Sequence, residues 1–284
     1  MLKKQTLFKA VREGEEIGVR LFHFSGGGEP LMHPDIYEAI ALARKRSVKV
    51  AVSTNGYLMT KPDKISLVNH LRISLNAGTA QMHQEIHNTP TKDFENILTN
   101  IKKVVAFRRA HKRKFDIGLG FLITPENWMD IYNFCEIASK LRVDFVHIRP
   151  AYYPDKERNE FLAAIIPNAF ALSEKAMHRF KNIEIFSVKD KFDGYWTSRT
   201  YDKCRATPLQ AVLTATGEFI VCQDVFIRFG DYNKGNFWKS WDSQEHRKAL
   251  QAIKIDRCPR CVENIHNEII QEVFLKDAVR SELI

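Results

Sequence analysis

Two groups of residues in this 284-residue chain have types and spacings that could do chemistry. The first is a set of four cysteines, Cys204, Cys222, Cys258 and Cys261. The last two form CPRC, a two-residue spacing that lets two thiolates reach one metal or cluster. Twelve residues separate Cys204 from Gly217, and four separate Gly217 from Cys222. One cysteine therefore precedes a turn and the other sits on the returning strand. Four thiolates from separated loops make a closed site for an iron–sulfur cluster or for tetrahedral zinc, and the ligand set alone does not choose between them. The fifth cysteine, Cys135, falls within an amphipathic helical pattern and reads as a small core residue.

The second group is the stretch FSGGGEP, in which Gly26, Gly27, Gly28 and Glu29 follow an apolar run. Three glycines let the backbone approach a ligand closely, because no side chain intervenes. Glu29 precedes Pro30, which biases it toward an extended conformation and fixes the aim of its carboxylate. Ser25 flanks the glycines, and Pro34 with Asp35 opens a helix whose N-terminus favours anionic groups. A plain strand-to-helix connection would use the same glycines, so the neighbours carry the functional reading.

The elements that must position these groups alternate. Strand-like apolar runs occur at residues 18–24, 48–54, 71–76, 115–123 and 143–150. Helical patterns lie between them at 35–46, 94–107 and 126–141, with a fourth at 158–180. Such alternation implies parallel strands joined by right-handed crossovers, in an open sheet or part of a barrel. Ligands of either fold bind at the carboxyl ends of the strands, where the glycine loop lies. After about residue 190 the character changes. Residues 211–222 read as a hairpin, and GDYNKGNFWKSW leads into a further helix. A small second module is expected from about Trp196. The domain expectation is thus 1–190 and 196–284.

Composition narrows the class. No apolar run is long enough for a membrane helix, and the first eighteen residues carry charge throughout, without a signal peptide's apolar centre. A cytoplasmic location is expected. The odd cysteine count without an export signal makes a disulfide framework a poor reading. The net charge of +9 could serve an anionic partner. Much of the excess sits in RRAHKRK, residues 108–114, where cations complement a helix C-terminus. A nucleic-acid partner is not expected.

The glycine stretch resembles the second-strand GGE motif of radical S-adenosylmethionine (radical SAM) enzymes. In that family the loop's backbone and acid hold the α-amino group of the cofactor methionine. The resemblance would pass that role to Gly26, Gly27, Gly28 and Glu29. VSTNGYL, RISLNAGTAQMHQEIHN, DIGLGFLITPENWMDI and VDFVHIRPAYY resemble the third to sixth strands of such proteins, in the same order. The fourth would turn Ser74 and Asn76, which alternate along one strand, toward the ribose or carboxylate. His147 and Arg149 would lie beside the adenine or inside a barrel. The Cys-x12-Gly-x4-Cys spacing followed by CPRC resembles the C-terminal SPASM or twitch extension, which carries auxiliary clusters. Four cysteines and none after Cys261 imply one 4Fe–4S cluster of the shorter twitch type.

The family's defining Cys-x3-Cys-x2-Cys loop after the first strand is not in the sequence. Residues 2–17 suffice for part of one helix, whereas a strand, cluster loop and helix need roughly thirty residues. Truncation, degeneration and supply by another chain are three explanations, of which truncation is favoured because the other cofactor motifs look intact. The expected fold is α/β: an N-terminally truncated (β/α)6 partial TIM barrel with five strands left, followed by a small cysteine-rich SPASM/twitch module with a β-hairpin. The resemblance implies an enzyme that cleaves S-adenosylmethionine to a 5′-deoxyadenosyl radical for hydrogen abstraction from a peptide or small-molecule substrate, with a reducing protein as electron donor. This chain alone is expected to be inactive. The rival readings are a non-catalytic zinc-binding protein with a four-cysteine site and, third, a basic nucleic-acid-binding protein.

Overall fold

The computed structural model describes residues 1–153, 155–187, 201–258, 261 and 263–276. The expected boundaries at residues 190 and 196 lie outside the described residues. The chain divides into two compact units: Glu15–Phe192, and Asp193–Ile284 together with Met1–Gly14. Among the described residues no helix is long and apolar enough to cross a membrane.

The chain opens with α1 (Lys4–Glu16). The larger unit then runs β1 (Leu21–Phe24), α2 (Ile36–Lys45), β2 (Lys49–Thr54), α3 (Pro62–Ile65), β3 (His70–Ser74), α4 (Ala80–His87), α5 (Thr91–Ala110), β4 (Asp116–Ile123), α6 (Ile131–Leu141), β5 (Phe145–Pro150), α7 (Lys156–Arg179) and β6 (Glu184–Ser187). All six strands pair in parallel and in chain order. The α/β expectation therefore holds, with one correction: the sheet has six strands, not five. The added strand is β6, whose four residues EIFS are too short to show a period and stand at alternate exposure. The first 17 residues supply no strand, and β1 ends the sheet's order.

The two faces of this sheet differ. Val50, Val52, Leu71, Ile73, Ile117, Leu119, Val146 and Ile148 are all fully buried. On α5, Phe94, Ile97, Ile101, Val104 and Val105 form a buried stripe at helical spacing. Alternate strand positions, among them Ser53, His70, Arg72, Ser74, His147 and Arg149, are half-buried and polar. The basic run at the end of α5 is partly neutralised: Arg108 pairs with Asp144 and also donates to the Phe115 carbonyl at 3.0 Å.

Beyond its last strand residue, β3 is clasped to β4. Asn76 takes a left-handed φ of 57° and accepts from Leu122 N at 2.9 Å. Asn127, fully buried, donates to the carbonyls of Asn76 and Leu122 at 2.9 Å each and accepts from Thr124 N at 2.7 Å. Asn76 thus stands past the strand end and does not continue the alternation expected from Ser74.

In the smaller unit, β7 (Val212–Leu213), β8 (Glu218–Ile220) and β9 (Arg228–Asp231) form an antiparallel sheet, followed by α8 (Phe237–Ser240), α9 (Gln244–Gln251) and α10 (Asn264–Ile269). The expected hairpin is present as β7 and β8, and β9 adds a third strand. Its turn needs Gly217: φ is +87°, and a Cβ there would collide with the Asn233 side-chain amide. Phe219 centres the core, with the Phe229, Tyr232 and Phe237 rings at 5.4, 5.2 and 5.6 Å. The first helix docks here: Glu13 accepts from the Tyr232 hydroxyl at 2.8 Å and from Phe237 N at 2.9 Å. Lys9 lies over the Tyr232 ring at 4.5 Å.

Asn127→Ala removes its three side-chain hydrogen bonds and strands two partly buried carbonyls and a buried amide. Unmet buried groups cost about 1–3 kcal/mol each, with partial relief by water. We expect a loss of about 3 kcal/mol in urea unfolding, with an unchanged denaturant slope.

Candidate functional site

The carboxyl ends of β1, β2, β3 and β4 bring the expected cofactor residues to one rim of the sheet. Gly26, Gly27 and Gly28 follow β1 with φ of +58°, +62° and +133°. Nothing lies within 4 Å of a Cβ built on any of them. Conformation rather than crowding requires glycine here, and the space above the loop is open.

Glu29 is the fixed point of the loop. Its φ of −88° and ψ of 117° are extended, as a residue before proline should be. One carboxylate oxygen accepts from the Thr54 hydroxyl at 2.6 Å and from Leu31 N at 3.0 Å. The other accepts from Asn55 N at 2.7 Å. Thr54 Oγ1 also accepts from Gly56 N at 3.0 Å. The carboxylate therefore ties the loop after β1 to the end of β2. With three donors on about four lone-pair sites, it keeps acceptor capacity for one more donor. Sequence reasoning gave Thr54 and Asn55 no role. Within STNG, only the Asn-Gly pair carried a signal, and that signal was a turn.

Ser74 closes β3 on the half-buried face, while the Asn76 side-chain oxygen accepts from Leu122 N. The loop after them is held rigidly. Gly78 N donates to Asp130 at 2.5 Å, and a Cβ on Gly78 would collide with the Phe134 backbone nitrogen. Thr79 caps α4 by accepting from Met82 N at 3.2 Å. His87 Nε2 lies 3.2 Å from the Leu75 carbonyl. His147 and Arg149 are in register with Gly120 and Leu122 on the same face.

A cavity of about 500 Å³ lies elsewhere in this unit, at the amino ends of the strands. It is lined by Lys49, Arg108, Arg113 and Lys114 against Asp116 and Asp144, at the opposite end from the glycine loop.

The cysteines of the smaller unit draw N–H and O–H donors. Cys222 is buried in the aromatic core. Burial raises its thiol pKa, the Asp224 amide opposes that rise, and the charge of Cys261 adds to it. Asp224 N donates to Cys222 Sγ at 3.4 Å, and the Thr207 hydroxyl to Cys204 Sγ at 3.5 Å. Asn267, fully buried, links two ligand segments. Its oxygen accepts from Arg205 N at 2.5 Å and Ala206 N at 3.1 Å, and its amide lies 3.8 Å from Cys261 Sγ. Cys258 precedes Cys261 by three positions and is half-buried. Amide and hydroxyl donors aimed at sulfur suit thiolate ligands. Among the described residues no three His, Cys, Asp or Glu side chains converge on a single-ion centre. Cys135 is buried in α6 and burial pushes its thiol up to about 12, which suits a core residue and not a ligand.

The model of the radical SAM superfamily matches residues 1–138. PqqA peptide cyclase of Gluconobacter oxydans is 26% identical over 180 residues, covering 61% of this chain and 47% of that protein. PqqA peptide cyclase of Granulibacter bethesdensis is 24% identical over 244 residues, covering 76% of this chain and 61% of that protein. The chain thus spans about half to three-fifths of the length of these two relatives. Streptococcus suis SuiB bound to S-adenosylmethionine superposes with a TM-score of 0.65 at 13% identity, covering 95% of this chain and 67% of that one. That last likeness is one of fold.

One titration follows from this rim. His83 of α4 is buried beside His87 and Phe94, with ring centroids at 4.6 and 5.5 Å. Burial first, then the neighbouring His87, lowers its pKa from 6.5 to about 4, and Asp93 opposes only partly. The unfolded chain can take up this proton below pH 6.5, whereas the folded chain cannot until about pH 4. Stability present above pH 6.5 should therefore fall between those values, by about 2 kcal/mol after allowance for solvent screening. Urea unfolding of wild type and His83→Gln at pH 7 and pH 4.5 checks this. The wild type should lose about 2 kcal/mol more than the variant.

Proposed function

We propose that this chain is a radical SAM superfamily protein that grips the methionine end of S-adenosylmethionine through Gly26, Gly27, Gly28 and Glu29 and holds one auxiliary 4Fe–4S cluster through Cys204, Cys222, Cys258 and Cys261. The observation that carries this reading is the clamped Glu29 beside an open glycine loop at the carboxyl ends of parallel strands. The family match over residues 1–138 and the fold-level likeness to SuiB support it.

The roles follow from the residues. The left-handed glycines hold the loop in a form that exposes its backbone to a ligand. Glu29 offers its remaining acceptor capacity to an ammonium group, a charge-assisted bond that specifies an amino acid moiety. Ser74 stands next along the rim, toward a ribose or carboxylate. Asn76 orients that rim through its bond to β4 rather than by a free amide. An auxiliary cluster, when bound, supplies a one-electron relay or a substrate anchor. Around it, Thr207 and Asp224 donate to ligand sulfurs, and the Asn267 amide lies 3.8 Å from that of Cys261. Zinc held by the same four cysteines is the rival, since the ligand set alone does not choose between them.

The residues do not fit the radical-generating cluster, because no Cys-x3-Cys-x2-Cys occurs in these 284 residues. No radical step is assigned to the chain by itself. The substrate class is a peptide or other organic small molecule, a choice that the peptide-cyclase relatives favour.

Two measurements test the reading. Anaerobically purified protein should be brown, absorb near 400 nm and carry on the order of four irons per chain, falling well below one in Cys261→Ser. A colourless protein with one zinc would reject the cluster and favour the zinc reading. S-adenosylmethionine should bind in equilibrium dialysis, and Glu29→Gln should weaken it about tenfold, the worth of one charge-assisted bond. Binding that survives Glu29→Gln and Gly27→Val unchanged rejects the cofactor site.

A further inference from the structure

We infer that the half-buried face of the parallel sheet carries an oxyanion subsite, built by Arg72 with His23 and His70, that receives a carboxylate or phosphate group of the substrate. The inference rests on the reading above that S-adenosylmethionine is gripped at the carboxyl rim of this sheet, and adds that the substrate lies over the half-buried face below it.

Arg72 sits in the middle of β3, in register with Ser53 on one side and Gly118 on the other. Its Cδ stands 3.8 Å from the Cβ position of Gly120, so the side chain lies across a glycine toward the cofactor rim. Its position, two residues before Ser74, places its Cα roughly 7 Å below that rim. Of the two glycines below it, Gly118 is covered by the Phe145 ring, on which His70 stacks at 5.0 Å, while Gly120 has nothing nearer than 3.7 Å and leaves its part of the floor open.

The charge around Arg72 is of one sign. His23 and His70 lie near enough for its guanidinium to depress both their pKa values, after burial, which is the larger cause. His147 and Arg149 face the same way from β5. The acids at this face are Asp116, which is 71% exposed and stands 4.0 Å from His70 Nδ1, and the exposed Glu184, in register with Phe145; both lie at the amino ends of their strands. No hydrogen bond or ion pair holds the Arg72 guanidinium among the described residues, although burial already works against its charge. Removing a cation from water without a partner is costly, and a bound oxyanion removes that cost. A planar fork of donors binds carboxylate or phosphate in two parallel bonds, and His23, held at 2.9 Å from the Ser53 hydroxyl, is fixed beside it.

The test uses the whole chain and inorganic phosphate, with glutarate as the carboxylate probe. The readout is the His23 imidazole signal in NMR, because His70 stands 4.0 Å from Asp116, which lines the basic cavity at the strands' amino ends, and a shift of His70 alone reports that cavity. Both probes should shift the His23 signal saturably and raise its pKa. Arg72→Gln should weaken probe binding about tenfold or more, and Arg72→Lys, which keeps the charge without the fork, should fall between. S-adenosylmethionine binding should be unchanged in both variants. Phosphate that leaves His23 unshifted, or that binds Arg72→Gln as tightly as wild type, overturns the subsite. So does a loss of S-adenosylmethionine in Arg72→Gln equal to that in Glu29→Gln, which would move Arg72 into the cofactor grip. A wild type that binds phosphate at His23 but never S-adenosylmethionine supports the subsite and rejects the cofactor reading instead.

Discussion

The carboxylate of Glu29 constrains the rest of the site. A loop of three glycines in positive φ has no side chains to hold it, and its backbone entropy cost is the largest that any residue type carries. What keeps it in one form is the acid that follows, drawn down by the Thr54 hydroxyl and the Asn55 amide at the end of the neighbouring strand. The proline after Glu29 sets the direction from which that carboxylate arrives. A permissive loop and a rigid anchor are thus complementary halves of one design. The loop can approach a ligand only because its far end cannot move.

The same logic extends along the rim. Two pairs of strand ends are tied by side chains that reach across: Glu29 from β1 to β2, and Asn76 with Asn127 between β3 and β4, while Asp130 reaches back to Gly78. Parallel strands end with unpaired backbone groups at their carboxyl edge, and these short polar residues satisfy them. The helix-side core beneath is mainly apolar, with few polar residues such as Asn100 and Ser173, so polar side chains on the other face are not needed for packing. Arg72 stands out against that background. Among the described residues it gains no ion pair, which is why a ligand is proposed for it.

Much of this was legible in the sequence, for physical reasons that differ between elements. The strands β2 to β5 were visible because burial on the helix side enforces Val, Ile and Leu over a run of residues. Of the two four-residue strands, β1 was visible because LFHF runs apolar into the glycine loop, whereas β6, EIFS, offers only two apolar residues. Glycine at 26, 27 and 28 was legible as a turn, because only positive φ or a close approach asks for three in succession. The use of Asn76 was not. An asparagine past a strand end reads equally as a cap, a ligand contact or a left-handed turn residue, and here it is the last of these while also capping Leu122 N. Nor could a sequence show that Glu13 of the first helix would accept from Tyr232, more than two hundred residues away. Local pattern carries local structure, and such a contact has no local pattern.

The cysteines extend the argument to the smaller unit, where a core and a ligand set share residues. Cys222 belongs to the cluster of Phe219, Val221, Phe229 and Tyr232, and burial there favours its neutral thiol. A metal or cluster ligand must be a thiolate. The amide of Asp224 works against the burial effect, and a bound cation would carry the balance to the thiolate. Asn267 likewise serves two ends, holding the backbone after Cys204 with its oxygen and approaching Cys261 with its amide. The segments that would supply ligands are therefore tied to one another by protein contacts that do not need the cofactor. Binding free energy at such a site adds to folding free energy instead of substituting for it. With an aromatic core around Phe219 and a docked first helix, this unit differs from small metal modules whose only core is the metal. Its proposed cluster is free to exchange electrons or hold substrate, because the fold around it already stands on its apolar packing.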